Sequence, residues 1–133
     1  MARDPRKQAV AAIIEQSEKF LFVKRSGYKE VAEGYWCPVT GGIEEGESHE
    51  EAIQREVLEE VGLHVIADRK VCQIATHDNQ YTLHFWTTKI ISGEAKICSH
   101  EATELKWVTL DEMKELEPVF GEDVQVHQDL RKA

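Results

Sequence analysis

Apolar residues crowd into two runs near the N-terminus, QAVAAII over residues 8–14 and the centre of EKFLFVKR over residues 18–25. Rich in Val, Ile, Leu and Phe, they predict two strands joined at Gln16 and Ser17 as a hairpin. Gly27, Gly34, Pro38, Gly41 and Gly42 then punctuate the chain around the short apolar segment Tyr35-Trp36-Cys37, which predicts loop with one or two short strands. From Ser48 the period becomes helical. Ser48 is a good N-cap, Glu51 completes an S-x-x-E capping box, and Gly62 suits the position just past the helix end. Ile53, Val57 and Val61 recur every four positions, with Leu58 widening the stripe, so one face of a helix of about three turns should pack on a sheet. Beyond Gly62, LHVIA, VCQIAT, YTLHFWTTKI and ELKWVTL are strand-like, whereas DEMKELE and the segment around DVQVHQDLRK are helical in pattern. Strands on both sides of an enclosed helix, with more helix at the end, predict an α/β chain in which a mixed sheet packs between helices.

Composition narrows the class. A chain of 133 residues with 41% hydrophobic and 31% charged positions fits one globular domain, spanning 1–133, with enough apolar material for a core. No apolar run approaches the roughly 18 residues needed to span a bilayer, and the start, MARDPRKQ, lacks the apolar stretch of a signal peptide, which predicts a cytoplasmic protein without a membrane partner. Cys37, Cys72 and Cys98 are odd in number and lack CxxC spacing, so they predict neither a disulfide framework nor a zinc site. A formal net charge of -9 argues against non-specific binding to a nucleic-acid backbone, though not against a polyphosphate bound through metal ions.

The same charge is concentrated. Between Glu44 and Glu60 stand eight glutamates, Glu44, Glu45, Glu47, Glu50, Glu51, Glu56, Glu59 and Glu60, against the single cation Arg55. Glu56, Glu59 and Glu60, at i, i+3 and i+4, should project from one side of the helix, away from the Val57 and Val61 stripe. Glu59 and Glu60 lie in the last turn, where the helix dipole disfavours anions, and like charges at i, i+4 cost about 0.2 to 0.5 kcal/mol. A hard divalent cation with oxygen ligands would offset that cost; a solvated acidic face is the alternative.

Gly41, five residues, Glu47, seven residues, then Arg55-Glu56-Val57-Leu58-Glu59-Glu60-Val61-Gly62-Leu63 matches the 23-residue Nudix box at every defined position. The chain thus resembles the MutT-like Nudix hydrolases. The resemblance implies an α/β/α sandwich with a mixed β-sheet, and a magnesium-dependent pyrophosphohydrolase in which manganese can substitute. It implies Glu56, Glu59 and Glu60 as metal-binding carboxylates, with a backbone carbonyl near Thr40 as a further ligand. It also gives Arg55 and Glu59 a part in catalysis, and makes Gly41, Glu47 and Gly62 supports of the motif. Arg55 can hold a carboxylate in a bidentate fork and so orient the catalytic glutamate. The wording His100-Glu101-x-x-Glu104-x-x-Trp107 resembles the loop that supplies a further ligand or base in the family, which makes Glu101 a candidate and Glu104 its competitor. By charge, an ion neutralises a diphosphate, a carboxylate activates water, and an in-line displacement follows. No G-x-S-x-G elbow, G-x-x-x-x-G-K-[ST] loop or H-E-x-x-H helix points elsewhere.

The resemblance implies a small-molecule nucleotide substrate, in which a nucleoside diphosphate is linked to a second moiety chosen outside the box. Thr40 stands where many relatives that clean up mutagenic nucleotides carry proline, and the W-x-x-V-T-G and E-E-G-E wording resembles the dihydroneopterin triphosphate branch. A nucleoside or pterin triphosphate is therefore expected. A dinucleoside polyphosphate, ADP-ribose or a nucleotide sugar is the alternative, as is a binding module that does not cleave. Tyr81 falls where dinucleoside polyphosphate hydrolases place a base-stacking tyrosine. Tyr35, Trp36, Thr40 and Tyr81 are the substrate-pocket candidates. Trp36, Phe85 and Trp86 read either as a ring-stacking pocket or as core, and His77 and His84 have no assigned role. Monomer and homodimer are both open.

Overall fold

The structure, a computed structural model, is described for residues 6–27, 32–76 and 78–131. Among the described residues eleven elements follow one another, β1 (Lys7–Ile13), β2 (Glu15–Gln16), β3 (Lys19–Arg25), β4 (Trp36–Cys37), β5 (Val39–Gly42), α1 (His49–Val61), β6 (His64–Ala75), β7 (Tyr81–Ser92), β8 (Ala102–Val108), α2 (Leu110–Met113) and α3 (Gly121–Leu130). Hydrogen bonding divides the strands into two four-stranded sheets. The first, in the order β5-β1-β7-β6, is mixed, because β1 and β7 run parallel while the other pairs are antiparallel. In the second, β3 is flanked by β2 and β4 on one side and β8 on the other, all antiparallel.

The near-continuous apolar run of β1 has a simple cause, since both faces of the strand are buried. Val10 and Ala12 point to a core shared with Ala52, Ile53, Val57 and Val61 of α1. Ala11 and Ile13 point to a second core with Met113, Leu116 and Val126. In β3 the same alternation sends Leu21 and Val23 to the first core and Phe20 and Phe22 to the second. Helices therefore cover both sides of the strands, and the architecture is the expected α/β/α sandwich.

The hairpin expectation needs correction. The turn sits at Ser17 and Glu18, both at positive φ, and the pairing beyond it ends after Glu15↔Phe20 and the bond from Leu21 N to Ile14 O. Both edges of β1 are occupied, by β5 and by β7, so β3 joins the other sheet. LHVIA and VCQIAT merge into the single strand β6. Its charged centre, Asp68-Arg69-Lys70, is tolerated because β6 is an edge strand, and register shifts at Ala67/Arg69 and Lys70/Cys72 absorb the irregularity. DEMKELE forms only the short α2, capped by Thr109 and Glu112.

Helix α1 has the predicted ends. Ser48 accepts from Glu51 N, the Glu51 side chain returns to Ser48 N, and Gly62 closes the helix in the left-handed conformation with φ 72°. Ile53, Val57 and Val61 are fully buried, but Leu58 is 42% exposed and lies outside the stripe, where Ala52 takes its place.

Candidate active site

At about 100° per residue, Glu60 lies about 40° from Glu56 toward Ile53, and Glu59 about 60° away on the other side. The structure follows this division. Glu56 and Glu60 are buried, 9% and 4% exposed, at the margin of the apolar stripe and not away from it. The Glu59 side chain is 57% exposed. Across from α1, the residue before β8 brings Glu101 in, and carboxylate oxygens of Glu56, Glu60 and Glu101 lie within 4.8 Å of one another. Glu59 does not belong to this group; it accepts from Arg55 Nη1 at 3.3 Å. Of the two loop glutamates, Glu101 joins the group, whereas Glu104 pairs with Lys24 at 3.5 Å.

Arg55 organises the rest of the box. Its Nε and Nη2 fork onto Glu47 at 2.7 and 2.9 Å, its Nη1 donates to Glu56 Oε1 at 2.7 Å, and Nη2 also reaches the Gly42 carbonyl at 2.9 Å. The bidentate fork is thus spent on Glu47, while Glu56 is held by a single bond. Arg55 draws the Glu47 carboxyl below the usual range through these bonds, and Glu47 in turn raises the already high pKa of Arg55. Burial pushes the Glu56 carboxyl up, with the Arg55 hydrogen bond opposing. Gly41 is required by contact, because a Cβ built there would overlap the Glu56 carboxylate. Gly62 lets α1 end and the chain turn back against the segment that bears Cys98.

The loop carrying Glu101 is tied at both ends. Lys96 N donates to Val61 O at 3.0 Å and Cys98 N to Glu60 O at 2.9 Å, satisfying carbonyls that the helix terminus would leave open. Glu101 N donates to Ser99 Oγ at 3.2 Å, and Glu101 O accepts from Ser26 N at 2.9 Å. Sequence reasoning passed over Ser26, since a serine between a strand and a glycine carries no signal without the long-range pairing.

The pocket candidates separate. Trp36 takes the core alternative: it is buried in the second core, its backbone N–H donates to Pro118 O, and Lys106 Nζ lies 4.9 Å from its ring centroid. Phe85 is core as well, while Trp86 packs on the first core and donates to His49 Nδ1 at 3.2 Å. Tyr35 is half-buried and stacks on Phe120, 4.4 Å between centroids, a partner the sequence did not suggest. Thr40 is half-buried in β5, opposite Ala11. Tyr81 lines an open groove of about 520 Å³ with Arg6, Lys7 and the loop from Gly42 to Glu45. His84 is buried, bonded to Gln8 Oε1 at 2.6 Å and tilted against His49; His77 lies outside the described residues. Cys37 is buried, Cys72 half-buried and Cys98 exposed, and burial pushes the Cys37 thiol up to about 12. Among the described residues no helix is long and apolar enough to cross a membrane.

Three converging carboxylates on a capped helix and a tied loop can hold a hard cation, and the likeness to known proteins extends beyond the box. The NUDIX domain family profile matches residues 5–130. The chain is 33% identical over 101 residues to the Bacillus subtilis (strain 168) protein named "Putative 8-oxo-dGTP diphosphatase", covering 76% of this chain and 64% of that one. It is 31% identical over 110 residues to the CTP pyrophosphohydrolase of Escherichia coli (strain K12), covering 79% and 77%. The MutT protein of Methanosarcina mazei Go1 superposes with a TM-score of 0.84 at 21% identity, over 99% of this chain and 97% of that one, which speaks for the fold. The chain belongs to the NUDIX domain family.

Proposed function

We propose that the protein hydrolyses a nucleoside triphosphate between the α- and β-phosphates, with Mg²⁺ or Mn²⁺, to a nucleoside monophosphate and pyrophosphate. The observation that carries the reading is the convergence of Glu56, Glu60 and Glu101. Their chemistry fits the ion. All three donors are hard carboxylate oxygens, two of them buried, and such sets suit octahedral Mg²⁺ or Mn²⁺ over softer metals. A bound ion would neutralise the diphosphate and make water a better nucleophile. Glu56, Glu60 and Glu101 would hold it. Arg55 keeps Glu56 in place, and Glu47 keeps Arg55 in place. Water adds to phosphorus, the bridging P–O bond breaks toward the leaving pyrophosphate, and a carboxylate of the cluster takes the proton that water releases.

The triphosphate class is supported by relatives named for acting on CTP, on 8-oxo-dGTP and, in Enterobacter sp. (strain 638), as a nucleoside triphosphatase. A second reading, a dinucleoside polyphosphate, is favoured by the groove at Tyr81, where an aromatic ring and two cations stand beside the box. The test is turnover with Mg²⁺ of canonical and oxidised nucleoside triphosphates, a pterin triphosphate, dinucleoside polyphosphates and ADP-ribose, with products identified. Monophosphate plus pyrophosphate from a triphosphate is the expected result. Turnover of a dinucleoside polyphosphate alone would replace the substrate class, and no turnover of any compound would overturn the enzyme reading.

A further inference from the structure

We propose that Ser26 is a positioning residue that sets Glu101 against Glu56 and Glu60. The inference rests on the reading of these three carboxylates as one metal site.

The β3–β8 ladder runs in a single register from Phe20↔Val108 to Lys24↔Glu104 and then slips, so that Arg25 faces Ala102. The slip leaves Thr103 as an extra residue on β8. Such a bulge turns the strand over and bends it. Ala102 accordingly packs in the first core with Leu105 and Trp107, although simple alternation would put it on the other face. Glu101 lies just N-terminal to this irregularity, beyond the regular part of the ladder, which no longer dictates its direction.

Ser26 is the residue that takes over. It is 8% exposed, its backbone N–H donates to Glu101 O, and its hydroxyl donates to His100 O. One residue thus grips two consecutive carbonyls, one on either side of the Glu101 Cα that bears the carboxylate. The other anchor comes from α1, where the Glu60 carbonyl accepts from Cys98 N. The loop is therefore stretched between the helix that carries Glu56 and Glu60 and the strand end that carries Ser26. A hydroxyl in this place fixes the backbone on which one ligand stands relative to the other two. Partners that orient a ligand commonly change metal affinity by about 10- to 100-fold when lost.

The experiment is direct Mn²⁺ binding, read by the electron paramagnetic resonance of the free ion, on wild type and on Ser26→Ala, Ser26→Cys, Ser26→Thr and Glu101→Gln, and on the double variant Ser26→Ala/Glu101→Gln. Ser26→Ala is expected to weaken Mn²⁺ binding about 10-fold, with Ser26→Thr near wild type because it keeps the hydroxyl. Ser26→Cys, which keeps the volume with a poor donor, should weaken it as well and serves if the alanine variant does not fold. In the Glu101→Gln background the Ser26→Ala change should add nothing, since its effect passes through Glu101. A purely structural serine would lower thermal stability but leave the Mn²⁺ affinity of the folded protein unchanged. If Glu101→Gln weakens binding while Ser26→Ala and Ser26→Cys do not, the positioning role is overturned and the metal site stands. If Glu101→Gln itself leaves Mn²⁺ affinity unchanged, the metal-site reading of Glu101 is overturned, and the role of Ser26 with it.

Discussion

Glu59 and Glu60 are neighbours in the sequence and separate in space. Glu60 turns toward Ile53 and is buried beside Glu56, whereas Glu59 turns to solvent and accepts from Arg55 Nη1. Removing charge at the two positions should therefore have unequal effects. Glu60→Gln is expected to weaken Mn²⁺ binding by at least about 10-fold and Glu59→Gln by no more than about twofold. Calorimetric titration of both variants checks this, and equal losses would mean that Glu59 swings into the cluster. Arg55 presents the complementary case, in which shape matters more than charge. Lysine at that position keeps one positive charge but cannot fork onto Glu47 while also reaching Glu56 and Gly42 O. Arg55→Lys should lower kcat by about 10-fold or more through loss of Glu56 orientation, which steady-state kinetics would show. At this scale the box made Glu56, Glu60 and Arg55 legible as residue types at fixed spacing. It left Glu59 ambiguous, because i, i+3, i+4 spacing spreads over about 100° of the helix and only packing decides which part of that arc is buried. The sequence leaves Trp36 open between pocket and core for a related reason: an aromatic residue between glycines has the same composition in either place, and packing puts it in the core.

At the scale of elements, α1 was readable to its caps, since Ser48, Glu51 and Gly62 act within the helix itself and need no distant partner. The breadth of its buried face was not. Leu58 follows Val57 around the helix but points past the sheet, so its apolar character contributes little to the core. Truncation separates the two kinds of position. Ile53→Ala should cost about 2 to 5 kcal/mol, as removal of a fully buried aliphatic side chain does, and Leu58→Ala less than about 1 kcal/mol. Urea unfolding monitored by circular dichroism measures both, and a large loss at Leu58 would show that the exposed side chain is covered in solution. The split of the expected hairpin belongs here too. Strand patterns show which residues face a core, but not which strands become neighbours. The pairing of β1 with β5 and β7 joins residues up to 74 positions apart, as in Lys7↔Tyr81, and leaves no local trace.

Across the whole molecule the second helical layer does more than cover the sheet, because α3 buries two ionisable groups one turn apart. His127 is fully buried against Phe20 and Phe22, with Nδ1 2.6 Å from the Asp123 carbonyl oxygen, and burial pulls its pKa from 6.5 down to about 4. Burial pushes the Asp123 carboxyl the other way, from 3.8 up to about 7. Between about pH 4 and 6.5 the unfolded chain holds a proton on the histidine and none on the aspartate, while the folded chain holds one on the aspartate and none on the histidine. Proton counts of the two states then match for this pair, and its contribution to stability is flat with pH. The histidine alone would make stability rise with pH in that window, and the aspartate alone would make it fall. Asp123→Asn removes the falling part. Relative to wild type, the stability of this variant should therefore climb from pH 4.5 to 6.5 with a slope of about 1.4 kcal/mol per pH unit, because every other carboxylate is common to both proteins. Urea denaturation of the two proteins at three pH values in this range measures the difference. Parallel profiles would mean that the opposed protons of α3 are not what steadies the fold across mildly acidic pH.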